Sequence, residues 1–190
     1  MKNRFFGAAA PVLILTTLSF TTIKKEVDVK ASTVEWTGKK ITGAAHTGSI
    51  QLKEGFLNLT DEGQLTGGEF VMDMNTIVVT DLSGEYKTKL ENHLNDDDFF
   101  GVNNYATSKL VITSVDPKEG STYEVTGDLT IKGKTEPVTF DMEVKEGTAT
   151  AQVVIDRTKY GIRYGSGSFF SNLGDNTINN NFILDVNLKF

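Results

Sequence analysis

Few side chains in this sequence can do acid–base or nucleophilic chemistry. There are two histidines, His46 and His93, and no cysteine. Thiolate nucleophiles, disulfides and thiolate metal sites are therefore excluded together. No serine sits in a G-x-S-x-G turn, and nothing supplies a nucleophile, a base and an orienting group as a set. Two polar residues stand out because alternation with their neighbours puts them on apolar faces. His46 shares a face with Gly48, Ile50 and Leu52. Such an imidazole either hydrogen-bonds the polar group of a ligand, or is bonded to a neighbouring strand. Arg157 continues the face of Ala149, Ala151, Val153 and Ile155. Its planar fork matches a pyrophosphate or carboxylate. The competing use is an internal ion pair with Asp156 or Glu69, since an inward charge must be paired with or without ligand.

The elements that position these residues read as β-strands. Tyr123, Val125, Gly127, Leu129 and Ile131 alternate with polar residues, a period of two that makes one face apolar. Gly133 breaks the run, and a second strand returns through Val138, Phe140, Met142 and Val144. Gly147 turns the chain into the strand that ends at Arg157. Upstream, Ser32 to Lys40 carries Val34 and Trp36 on one face. Ala44 to Lys53 carries His46, and Gly55 marks a bulge before Phe56 to Leu59. Leu65 to Asn75 places Phe70, Met72 and Met74 together, and Leu110 to Val115 is apolar on both faces. The last strand, Ile178 to Phe190, has Phe182, Leu184, Val186 and Leu188 on its apolar face. One helix is expected at Ser83 to Leu94, with Tyr86, Leu90 and Leu94 as its stripe.

Composition sets the outer limits. The chain has 190 residues with 18 glycines and 3 prolines, which suits one antiparallel all-β domain with tight turns. Lys2 and Arg4 precede an almost wholly apolar run, Phe5 to Phe20, too short for a comfortable membrane span. Residues 1–23 are thus expected to be a signal peptide, residues 27–190 the folded domain, and the periplasm or exterior the destination. Loss of Lys2 and Arg4 takes the formal charge from −6 to −8. An acidic protein repels phosphate backbones, so no nucleic-acid partner is expected. Asp96-Asp97-Asp98 lacks the glycine and distant glutamate of a calcium loop and reads as a solvated turn.

About eight strands with one apolar face can close into a barrel with room for a small ligand, or pack as a two-sheet sandwich. Periodicity does not separate the two. In a barrel the methionines would give a soft wall, because unbranched thioethers fit irregular shapes. Phe140, Met142 and Phe182 would extend it. Trp36 reads most simply as core at the barrel bottom. In a filled sandwich the same stripes would be ordinary core, and the protein a structural or adhesive module. An enzyme using His46 as acid or base is the third reading.

Five stretches, taken together, resemble the YceI-like family. They are Val34-Glu35-Trp36 with His46-Thr47-Gly48; Leu65 to Phe70; Lys89-Leu90 through His93-Leu94 to Asp98-Phe99-Phe100; Gly127 to Gly133; and Asp156-Arg157-Thr158-Lys159-Tyr160-Gly161. The resemblance covers about residues 27–190. It implies an eight-stranded antiparallel lipocalin-like β-barrel with one flanking α-helix. It also implies an exported, non-catalytic protein holding a polyisoprenoid or isoprenoid quinone, with no cofactor in the catalytic sense. Tyr160, in the last stretch, joins the candidate ligand contacts. A lipid or similar amphiphile is then the expected partner, and transient membrane contact and a homodimer stay open.

Overall fold

The computed structural model describes residues 21–190. The expected leader lies outside the described residues up to residue 20. Thr22–Glu26 already forms a short strand, β1, ahead of the expected domain start at 27. Eight further strands follow: β2 (Thr33–Lys40), β3 (Ala45–Thr60), β4 (Leu65–Val79), β5 (Thr107–Pro117), β6 (Thr122–Ile131), β7 (Lys134–Lys145), β8 (Thr148–Asp156) and β9 (Ile178–Lys189). One α-helix among the described residues, α1 (Gly84–Asn95), lies between β4 and β5.

The sheet order is β3-β2-β9-β8-β7-β6-β5-β4, all antiparallel, and β4 pairs back onto β3. The result is a closed eight-stranded barrel with one flanking helix, and the sandwich is excluded. Closure is helped by irregularities in the β3–β4 ladder between Ser49 and Gln51 and between Leu52 and Glu54. An extra residue bends and twists a strand, as a barrel corner requires. The second shift falls one residue before Gly55, which itself pairs with Phe70. β1 runs along the same edge of β3 as β2: β2 covers Ala45 to Ser49 and β1 covers Phe56 to Thr60.

The two ends differ. At the lower end lie the tight β3–β4, β5–β6 and β7–β8 turns. There Leu57, Val125 and Ala149 are fully buried in the apolar core, and Leu188 borders the cavity. At the upper end lie the β2–β3 turn, the β4–β5 segment with α1, the β6–β7 turn and the long β8–β9 loop. Helix α1 packs against β4 there. Its apolar stripe is shorter than the spacing predicts. Leu94 is buried and Leu90 partly so, but Tyr86 is 78 % exposed because it precedes the turn that meets the barrel. The Glu91 carboxylate accepts from the Val79 N–H (2.9 Å), holding the helix to β4. Lys132 Nζ donates to the carbonyls of Asp97 and Phe99 and holds the segment after the helix to the β6–β7 turn.

Gly48 tests the closure. A Cβ there would lie 1.9 Å from the Val78 carbonyl oxygen and 2.4 Å from the Trp36 ring. Neither strand can yield without breaking a ladder, so Gly48→Ala is expected to cost about 2–3 kcal/mol. Urea unfolding followed by the fluorescence of Trp36 would show the midpoint falling.

Candidate ligand-binding cavity

The inward faces of the strands do not fill the barrel interior. They enclose an apolar cavity of about 180 Å³ for the centre of a water-sized sphere. β4 supplies Phe70, Met72 and Met74, β7 supplies Phe140 and Met142, and β9 supplies Phe182, Leu184 and Val186. Trp36 lines it from the middle of β2, higher than a barrel-bottom residue would sit. Its ring lies over Gly48, and its Nε1–H is buried without a partner. Leu94, Phe99 and Phe100 cover the upper end, with Phe100 edge-on to Phe182 at 6.3 Å between ring centres. Sequence reasoning assigned none of these three to the site. The adjacent Phe99-Phe100 directly after the helix was the available signal, because two neighbouring rings there have only the barrel mouth to cover.

Arg157 is the one buried charged residue among the described residues, 2 % exposed. It opens a 3₁₀ turn, Arg157–Tyr160, and borders the cavity beside Ile178 and Asn179. The expected ion pair is not formed. The Asp156 carboxylate accepts instead from the Thr158 N–H (2.9 Å) and hydroxyl (2.6 Å), and Glu69 pairs with Lys109 at 2.8 Å. The guanidinium donates to three backbone carbonyls: Nε to Asn179 (3.1 Å), Nη1 to Ile162 (2.9 Å) and Nη2 to Ile178 (3.2 Å). Three of its five N–H groups are thereby used. Burial lowers its pKa, opposed by the nearby Asp156 charge, and it stays protonated at neutral pH.

His46 is corrected from its expected place. Its parity is that of Gly48 and Ile50, but it lies above the rim, where β3 has run past the last β4 pair at Gly48 and Val79. The ring is exposed and does not line the cavity. Its Nδ1 lies 2.8 Å from Asp81 Oδ2, and the Thr47 N–H donates to Asp81 Oδ1 (2.9 Å). Burial pulls the Asp81 carboxyl up, but the hydrogen bonds from His46, Thr47 and its own amide outweigh it and leave the group below the ordinary carboxylate range. The pair ties β3 to the chain entering α1.

Tyr160 also stays out of the cavity. It is buried at the end of the 3₁₀ turn and is not among the cavity-lining residues. Burial, with the charges of Glu136 and Asp156, pushes its phenol up to about 12. His93, unassigned by sequence reasoning, lies between the rings of Phe99 (5.5 Å) and Tyr164 (4.3 Å) with Nε2 buried and unpartnered. With Asp96 and Asp98 it brings three ligand-type atoms within 4.8 Å of one another, the one such group among the described residues. Both aspartates are exposed.

A closed antiparallel barrel around an apolar cavity, with one buried cation at its upper end, is the class that fold and site define. The family model for the YceI-like domain matches residues 26–190, and the chain belongs to that family. A UPF0312 protein of Staphylococcus aureus (strain USA300) is 31 % identical over 114 residues, 54 % of this chain and 63 % of that protein. The chain thus spans less than two thirds of the length of this curated relative. A UPF0312 protein of Photorhabdus laumondii is 38 % identical over 69 residues, 36 % of this chain and 35 % of that protein. Among solved structures, BcnA of Burkholderia cenocepacia superposes with a TM-score of 0.64 at 22 % identity, covering 85 % of this chain and 98 % of that one. A polyisoprenoid binding domain from Saccharophagus degradans gives 0.58 at 14 % identity, covering 90 % and 97 %. At these identities the likeness is one of fold.

Arg157→Lys keeps the charge but cannot reach three carbonyls in a plane. It is expected to lose about 2–4 kcal/mol of stability, read as a lower unfolding midpoint. Tyr160 holds its proton more tightly folded than unfolded. Its contribution to stability is intact below pH 10.0 and is lost as the pH rises from there towards about 12. Alkaline titration at the tyrosinate band should show one late-ionising phenol that disappears in Tyr160→Phe.

Proposed function

We propose that this protein is an exported, non-catalytic carrier that holds an isoprenoid or similar amphiphile in the barrel, its chain in the apolar cavity and its polar end at Arg157. The observation that carries this reading is the cavity itself: walls of Met, Phe, Leu and Val with a single guanidinium at the upper end. Burying a methylene is worth roughly 0.8 kcal/mol, so about ten of them give roughly 8 kcal/mol before the costs of association. Micromolar binding then needs no further chemistry. Among the described residues no protein acceptor holds the other two Arg157 N–H groups, which suit a phosphate, carboxylate or quinone oxygen. Membership of the YceI-like family and the fold shared with a polyisoprenoid binding domain support the choice of ligand class.

A filled structural module fits poorly with a hollow barrel and two inward methionines on one strand. As for an enzyme, the His46–Asp81 pair, the nearest thing to a base with its orienter, sits outside the cavity. Export rests on the apolar N-terminal run alone.

Native mass spectra of the purified protein, before and after delipidation, test the proposal. A bound species of several hundred daltons, removed by solvent and restored by isoprenoid quinones or polyprenyl phosphates, is the expected result. A mass that stays at the bare polypeptide with every such lipid overturns it. Ala151 faces the cavity from β8. Ala151→Phe should narrow the tunnel and weaken binding of the longest chains by about tenfold or more while sparing short ones. A chain-length series titrated against both proteins would show whether this holds.

A further inference from the structure

The outer surface of the barrel is unlike at its two ends. Of the large hydrophobic side chains exposed among the described residues, all but Ile23 and Val154 belong to upper-end segments. The lower turns are acid-rich: Asp61, Glu62, Asp116, Glu119 and Glu146 outnumber Lys118 and Lys145. Four of the exposed groups gather where β9 begins. Ile41 (59 % exposed) donates its N–H to the Thr177 carbonyl (3.0 Å). Tyr164, Phe169 and Phe170 (47, 45 and 50 %) stand on the β8–β9 loop.

That loop is firmly held. The Ile178 N–H donates to the Gly165 carbonyl (2.8 Å), and the fully buried Ser166 hydroxyl donates to Asn180 Oδ1 (2.7 Å). Asn180 Nδ2 donates in turn to the Ser168 hydroxyl (2.8 Å). The aromatic rings are thus presented outward by buried polar bonds beneath them, although an apolar cavity lies next door. One cation lies against them, and two more are exposed on neighbouring segments. The Arg163 guanidinium sits 4.6 Å from the Phe169 ring centre, and Lys39 and Lys159 are exposed. The β8–β9 loop carries Lys159 and Arg163 besides the buried Arg157, against one acid, Asp175. Of the other acids at this end, Asp81 and Asp96 to Asp98 stand on the α1 side of the mouth, where His93 meets the Tyr164 ring, and Glu136 lies near the start of β7.

We propose that this flank, Ile41 with the 163–170 loop, seats the barrel on an anionic lipid bilayer with the mouth toward the lipid, so that cargo passes between membrane and cavity without crossing water. The inference rests on the carrier reading and extends it to where cargo is exchanged. Aromatic rings settle at the headgroup level, and lysines and arginines beside them are drawn to anionic headgroups. The chain as a whole is acidic, at −6, and its lower turns are repelled by such a surface. The cations beside the exposed rings favour the approach of this flank, which sets the orientation. A second copy carries the same net charge and is the weaker candidate.

Because the chain has no cysteine, one introduced residue is a unique label site in the full chain. Phe170→Cys and Glu62→Cys, each carrying an environment-sensitive fluorophore, mark the two ends. With vesicles of phosphatidylcholine and phosphatidylglycerol, the label at 170 is expected to brighten and shift to the blue and the label at 62 to stay unchanged. Added salt should reverse the response. Phe169→Ser with Phe170→Ser should weaken partitioning at least about tenfold and leave the amphiphile-bound mass intact. No shift at 170, or a shift at 62 instead, overturns the proposal; the latter would mean attachment through the apolar stretch ahead of β1. A shift at 170 that follows protein concentration without vesicles overturns it in favour of a second copy. Uptake of amphiphile from detergent micelles without seating on vesicles sinks this inference alone. Failure to take up amphiphile from any source sinks the carrier reading and this inference with it.

Discussion

A guanidinium taken out of water has to find acceptors, and much of the upper barrel follows from how Arg157 finds them. A carboxylate partner would have neutralised it. Carbonyls leave its charge in place and pin backbone. The three used here belong to Ile162, just after the 3₁₀ turn, and to Ile178 and Asn179, where β9 starts. One side chain therefore fixes both feet of a long loop and borders the cavity between them. The same bonds that keep the loop in place keep a cation facing an apolar space, where its attraction for an anion is least screened.

The barrel divides its interior between packing and vacancy. Below, small and branched residues such as Leu57, Val125 and Ala149 are fully buried, as in a close-packed interior. Above, Met72 and Met74 stand opposite Phe140 and Met142 without filling the space between. A void forfeits dispersion contacts along its walls, so the packed lower end and the long β3–β4 ladder must sustain the fold. Helix α1 adds little packing of its own. It is fastened by Glu91 to β4, by His46 and Asp81 at its approach and by Lys132 at its exit. Each is a polar contact at the barrel rim rather than a buried apolar seam.

Period-two alternation made the strands legible, and it also put Arg157 and the Met and Phe stripes on the correct face. Parity says nothing about depth. His46 has the parity of an inward residue but lies past the last rung of the β3–β4 ladder, where there is no interior to face. Its partner Asp81 is 35 residues away in sequence, and no local pattern announces it. Tyr86 failed for the same reason: helical spacing set its direction but not whether a wall stood there. Tyr160 took its place from a family stretch, and the 3₁₀ turn carried it away from the cavity. Phe99 and Phe100 were noticed but not assigned, because their role depends on where the helix docks.

Strand β1 straddles the expected end of the leader at residue 23, and its position has a consequence for how the chain is trimmed. All five of its residues are exposed, so it holds by ladder hydrogen bonds far more than by burial. Those bonds cover the stretch of β3 from Phe56 to Thr60 that β2 does not reach. A chain cut just before Val27 would keep the cavity and Arg157, yet it would carry a row of unpaired backbone donors and acceptors along β3. An open edge of that kind is a template for a strand from elsewhere. The first few residues of the fold thus act as a selvedge, and trimming them would turn a self-contained barrel into one that can accept a foreign strand.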